Sequence, residues 1–224
     1  MTWTDQRPLR WSKKTEQLVR YVAHACRPGL QSELGHWIEE RPRFRELIAS
    51  NQAKVRKKLT TSDEEMRQDV RAELRVAYLV LADRRFEVTL EAYGAHQLGP
   101  DLSVAYRVNQ KFNVEVTRLR TSETPTTARL VDVIGGKLRQ LPANLPNALA
   151  ICSRGVGVRE DDLEAALRLL RTRGAQKDLA RLSGVFSIDE GDAAPGAAFC
   201  ANHEARHALS REIVVGLSAC LPEG

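Results

Sequence analysis

The hydrophobic period of this 224-residue chain changes near residue 86, and that change restricts the fold more than any other feature. Upstream, "TSDEEMRQDVRAELRVAYLVLADRRF" carries apolar residues at Met66, Val70, Leu74, Ala77 and Leu81, the spacing of one helix face. Ser62 with Glu65 three places on forms a capping box, and the helix is expected to end near Asp83. Downstream the pattern alternates. "FEVTLEAY" (86–93), "DLSVAYRV" (101–108) and "FNVEVTRL" (112–119) each read as a strand, with "NQK" the turn between the last two. "ARLVDVIGGKLRQL" (128–141) is a helix weakened by Gly135 and Gly136, and "NALAICS" (147–153) is a short buried strand. Residues 62–153 thus run α-β-β-β-α-β. Short turns make the first three strands antiparallel neighbours, and the fourth returns through a helix as a crossover requires. The expected architecture is a mixed central sheet with helices packed on it.

Both flanks add helices. Residues 12–26 form a short helix pattern, and helical periodicity runs from about 30 to 58, divided by Pro42. After the core, "EDDLEAALRLLRTR" (160–173) is a helix that is acidic at its start and basic at its end. Two strand-like runs follow, "GVFSID" (184–189) and "AAFCA" (197–201), then a last helix over about 209–220. The length suits one domain with an appendage. We place a basic helical extension at 1–60 and the core with its C-terminal additions at 61–224.

Charge supports that division. Residues 1–60 hold 13 Lys+Arg and 6 Asp+Glu, whereas 61–224 hold 21 and 23. The densest run is "KVRKK", with Lys54, Arg56, Lys57 and Lys58, the footprint expected of a surface that faces nucleic acid. A solvated helix face is the plainer alternative. No stretch approaches 18 uninterrupted apolar residues, and "MTWTDQRPLRWSKK" lacks a signal-like apolar segment. Cys26, Cys152, Cys200 and Cys220 are scattered without a C-x-x-C pair. Reduced thiols, no membrane and a cytoplasmic location are therefore expected.

Glu115 stands between Val114 and Val116 in the most strand-like run of the chain. Alternation puts Asn113, Glu115 and Thr117 on one face, with Lys111 beside them, and Phe112, Val114 and Val116 on the other. Asp101 follows Pro100 at the mouth of the partner strand, and Glu73 lies in the preceding helix. If the hairpin pairs, two or three carboxylates converge at one sheet edge. Such a group is costly without a cation, and Mg²⁺ suits hard oxygen ligands. Taken singly, a strand Glu is most often solvent-facing and an Asp after Pro is a common turn residue.

The helix bearing Glu73, "PD" at Pro100–Asp101 and "EVT" at 115–117, in this topological order, resemble the PD-(D/E)XK nuclease superfamily over roughly residues 62–153. That resemblance implies a restriction-endonuclease-like fold and Mg²⁺- or Mn²⁺-dependent cleavage of phosphodiester bonds in nucleic acid, with DNA the expected form. It implies that Asp101 and Glu115 ligate the metal and that Glu73 assists. The sequence departs from the family where Thr117 replaces the usual lysine. A hydroxyl carries no charge and cannot do the work of an ammonium. Members of the superfamily place that lysine on another element, so Lys137, on the following helix with Gln140 three places on, is the candidate replacement; Lys111 is a second. A nuclease fold without catalysis that binds nucleic acid or protein is the alternative. A homodimer is left open.

"NHEARHAL" contains His203-Glu204-Ala205-Arg206-His207, a literal H-E-x-x-H. On a helix it would hold Zn²⁺ and make a metallopeptidase. Arg206 and the position between a strand-like run and the final helix argue for a polar loop instead. Downstream, only Glu212 and Glu223 could serve as a third ligand. His24, His36 and His96 have no partner spacing. Trp3, Trp11 and Trp37 are expected to anchor the N-terminal helices, although tryptophans also stack on bases.

Overall fold

The computed structural model describes residues 11–90, 99–120, 125–189 and 196–222. Trp3, His96, Glu223 and the end of the "FEVTLEAY" run lie outside the described residues. The chain divides into two compact units, Met1–Ala82 and Asp83–Gly224.

Among the described residues, the first unit contains five helices: α1 (Lys13–Val22), α2 (Pro28–Glu40), α3 (Pro42–Ser50), α4 (Gln52–Leu59) and α5 (Glu64–Val80). Pro28 and Pro42 each open a helix, where a missing N–H costs nothing. The division falls at residue 82 rather than near 60 because α5 packs with the helices before it. Trp37 of α2 stacks on Tyr78 of α5 at 5.4 Å, and Phe44 of α3 meets the same ring edge-on at 5.6 Å. Arg71 of α5 binds Glu33 of α2, Nε to Oε2 at 2.6 Å. Asp63, not Ser62, caps α5, its carboxylate accepting from the N–H groups of Glu65 and Met66. Met66 leaves the expected apolar stripe and is exposed, whereas Val70, Leu74, Ala77 and Leu81 are buried.

Among the described residues, the second unit is built on one six-stranded sheet in the order β1 (Phe86–Leu90), β2 (Leu102–Tyr106), β3 (Gln110–Arg118), β4 (Asn147–Ser153), β5 (Gly184–Asp189) and β6 (Ala197–Ala201). The pairs β1–β2, β2–β3 and β5–β6 are antiparallel, and β3–β4 and β4–β5 are parallel. The helices are α6 (Thr127–Leu138), α7 (Glu160–Thr172), α8 (Gln176–Leu179) and α9 (Arg211–Cys220). The four-residue α8 is too short to leave a period in the sequence. Tyr106 pairs with Gln110, so the β2–β3 turn is Arg107–Asn109, earlier than the expected "NQK". Val108, the single apolar residue of the turn, continues the strand alternation in the sequence and so hides the turn.

Strand alternation divides the second unit's core in two. On one face Leu149, Ile151 and Val185 pack with Leu130, Ile134 and Leu138 of α6 and Leu163, Leu167 and Leu170 of α7. On the other, Phe86 contacts Tyr106 and Phe112 at 5.0 and 6.2 Å between ring centres. Gly216 of α9 lies against Phe86, where an added Cβ would come within 2.9 Å of the ring. The α6–α7 face changes character toward β1: Glu87, Thr89 and Lys111 are exposed, and Ser103 and Ala105 are half-buried. No helix among the described residues is long and apolar enough to cross a membrane.

Candidate active site

Glu115 stands where the greasy and polar halves of that face meet. It pairs with Leu149 of β4 on one side, and only 4 % of its surface is exposed. A carboxylate there requires a partner, because desolvation without one is costly. Lys137, in the last turn of α6, supplies it: Nζ lies 2.7 Å from Glu115 Oε1. The crossover from β3 through α6 to β4 folds the helix back over β3, so residues 22 apart in sequence meet.

Asp101 reaches the same place from the other side. The β2–β3 register ends at Leu102↔Val114, so Asp101 stands beside Glu115 one step on. Pro100 has no N–H and cannot extend the ladder. The Asp101 carboxylate takes over, Oδ2 accepting the Val116 N–H at 2.8 Å. Asp101, just before β2, therefore stands opposite Glu115 of β3 in the register, and Lys137 of α6 binds Glu115. Thr117 lies on the same face as Glu115, half-buried and paired with Ile151.

Other expected participants are placed differently. Gln140 lies beyond the end of α6 in an exposed turn, so it does not share a helical face with Lys137. Glu73 belongs to the first unit, where Lys58 Nζ lies 2.7 Å from its Oε2. Among the described residues no three His, Cys, Asp or Glu groups come together as metal ligands. On α4, Val55 and Leu59 turn inward and Lys57 is exposed, Arg56 lies over the Tyr21 ring at 4.8 Å, and Lys54 is half-buried. Part of the "KVRKK" charge thus serves intramolecular contacts.

Asn113 and Asn147 extend the polar junction inward and carried little sequence signal. Both are buried, and Asn113 Nδ2 donates to Asn147 Oδ1 at 3.0 Å. Asn147 Nδ2 in turn lies within 3.0 Å of the carbonyls of Pro142, Leu145 and Arg181, tying the loop after α6 to the start of β4. An asparagine opening an otherwise apolar run was the only sequence hint of this lock.

The H-E-x-x-H stretch is a turn rather than a helix, with His203 and His207 exposed. Without helical spacing the two imidazoles do not share a face, so the zinc-peptidase motif is a coincidence of sequence. Buried Asn202 organises the segment: its Nδ2 donates to the carbonyls of Leu179 and Leu182, and its Oδ1 accepts from Arg171. Glu204 pairs with Arg171 at 3.1 Å. All four cysteines are buried free thiols, and burial pushes the Cys200 thiol up to about 11.

No protein-family model matches the chain, and no curated protein is significantly similar to it.

Proposed function

We propose that this chain is a divalent-metal-dependent phosphodiesterase of the PD-(D/E)XK type that acts on nucleic acid, with DNA as its substrate. The observation that carries the proposal is Lys137 Nζ at 2.7 Å from Glu115, beside Asp101. A lysine from α6 stands at the acids in place of the one missing at Thr117. The meander of β1, β2 and β3 followed by a helical crossover to a parallel β4 supports the same family.

The donor set fits Mg²⁺ or Mn²⁺, because such ions are held by one or two carboxylates and keep several waters. Asp101 and Glu115 would hold the ion, which when bound supplies Lewis-acid stabilisation of phosphate charge and an activated water. Asp101 fixes the end of β2 against β3 through the Val116 N–H, so its carboxylate is positioned by the sheet. Glu115 is held by burial and by Lys137. Lys137 brings a positive charge and further N–H donors to the place where phosphate charge would develop. Lys57, the exposed cation of α4, would contact the nucleic-acid backbone, which makes binding salt-dependent.

The test is cleavage of duplex DNA, single-stranded DNA and RNA by the full chain with Mg²⁺ or Mn²⁺. Asp101→Asn, Glu115→Gln and Lys137→Ala should each lower the rate by about 100-fold or more. Metal-dependent cleavage that survives the first two substitutions overturns the assignment.

One observation favours a second reading, a nuclease fold that binds without cutting: both acids already have internal partners, the Val116 N–H and Lys137. That reading predicts no Mn²⁺ uptake by calorimetry and nucleic-acid binding that survives Glu115→Gln.

A further inference from the structure

The sheet ends at β6, and no strand lies beyond it among the described residues. Asp189 donates its N–H to the Gly196 carbonyl at 2.8 Å, and Asn202 donates its N–H to the Ser183 carbonyl at 3.0 Å. With the β5–β6 register, these bonds turn the even-numbered residues of β6 toward β5. The backbone N–H and C=O groups of Ala197, Phe199 and Ala201 therefore face outward. All three residues are half-buried rather than covered. Edges of this kind are normally blunted by charge, proline or a bulge, and "AAFCA" has none of these.

A groove of about 890 Å³ runs beside this edge, and Glu160, Glu164, Arg168 and Arg171 of α7 line it. Their spacing puts them on one face of α7. The stripe is bipolar, acidic toward the start of the helix and basic toward its end. The order of β4, α7, β5 and β6, with β5 parallel to β4 and β6 antiparallel to β5, makes α7 and β6 run in the same direction.

We propose that a second copy of this chain docks here, joining β6 to β6 in antiparallel fashion about a twofold axis at Phe199. That register pairs Phe199 with its symmetry mate and each Ala197 with the other copy's Ala201, so every outward-facing group finds a partner. The same axis sets α7 antiparallel to its mate. The acidic end of one stripe then faces the basic end of the other, around the midpoint between Glu164 and Arg168. An interface in which one patch meets itself must be self-complementary, and a bipolar stripe beside an odd-length edge strand satisfies that in both charge and hydrogen bonding. The dimer does not depend on the chemistry proposed for Asp101 and Glu115.

Sedimentation of the full chain over a range of concentrations tests it, with a species of twice the chain mass expected. Ala197→Pro removes an outward N–H and leaves the β5 ladder intact; it should weaken dimerisation by about tenfold or more. Glu164→Arg should weaken it roughly tenfold by setting like charges together. The exchange Glu164→Arg with Arg168→Glu should restore it, and this arm decides the matter should the proline variant fail to fold. A monomer at all concentrations, or a dimer indifferent to the charge reversal, overturns the proposal; a monomer that instead binds an extended peptide at β6 assigns the edge to another occupant and overturns it equally.

Discussion

Single residues carry the buried charge and some of the strain. Glu115 is a buried acid whose partner comes from a different element, and its role is invisible without that partner. The turn between β2 and β3 shows the opposite case, a residue at odds with its place. Val108 is 70 % exposed with φ of 69°, and Arg107 beside it has φ of 47°. A β-branched side chain in the left-handed region is costly, and exposure removes any packing return. Val108→Gly should therefore raise stability by about 0.5–1 kcal/mol, even after the entropy that glycine adds to the unfolded chain. Denaturant midpoints of the two proteins check this.

Elements are joined by close approaches that only particular residues permit. In the first unit Gly35 of α2 lies under the Trp11 indole, so closely that a Cβ would overlap the ring. Gly35→Ala must push the tryptophan out or shift α2. A loss of about 1–3 kcal/mol is expected, with a change in tryptophan emission. An unchanged midpoint and spectrum would show that the indole does not rest there. Helix identity itself was legible from the sequence: Val19 and Val22, Leu34 with Trp37 and Ile38, and Leu163 with Leu167 and Leu170 are all buried as their spacing implies. Helix and turn ends were less so. The Asp63 cap and the Arg107–Asn109 turn depend on which neighbouring polar group takes the free N–H, a choice among near-equals that spacing does not settle.

At the scale of the whole molecule, stability should fall at alkaline pH through the first unit. Tyr78 is 4 % exposed, and burial, reinforced by a hydrogen bond to Glu40, pushes its hydroxyl up to about 12. A raised folded-state value means that stability is complete below the ordinary value of 10.0 and is lost as pH rises toward 12. A rise from 10.0 to about 12 corresponds to about 2–3 kcal/mol. Unfolding free energies at both ends of that window should differ by this amount more in the parent chain than in Tyr78→Phe; equal pH dependence would mean that Tyr78 ionises as freely folded as unfolded.

Apart from α8 and the break between α3 and α4, the sequence alone determined the order of helices and strands, because period is a local property of the chain. It also determined that Asn113, Glu115 and Thr117 share a face, since alternation in a strand needs no tertiary knowledge. Tertiary structure decided which charges meet. Lys137 reaches Glu115, and Asp101 reaches the Val116 N–H, only because a crossover and a register bring distant segments together. The same long-range packing assigned α5 to the N-terminal helices and made a turn of the H-E-x-x-H stretch. Both outcomes depend on partners, Glu33 and Trp37 in one case and Arg171 in the other, that lie tens of residues away and leave no periodic trace.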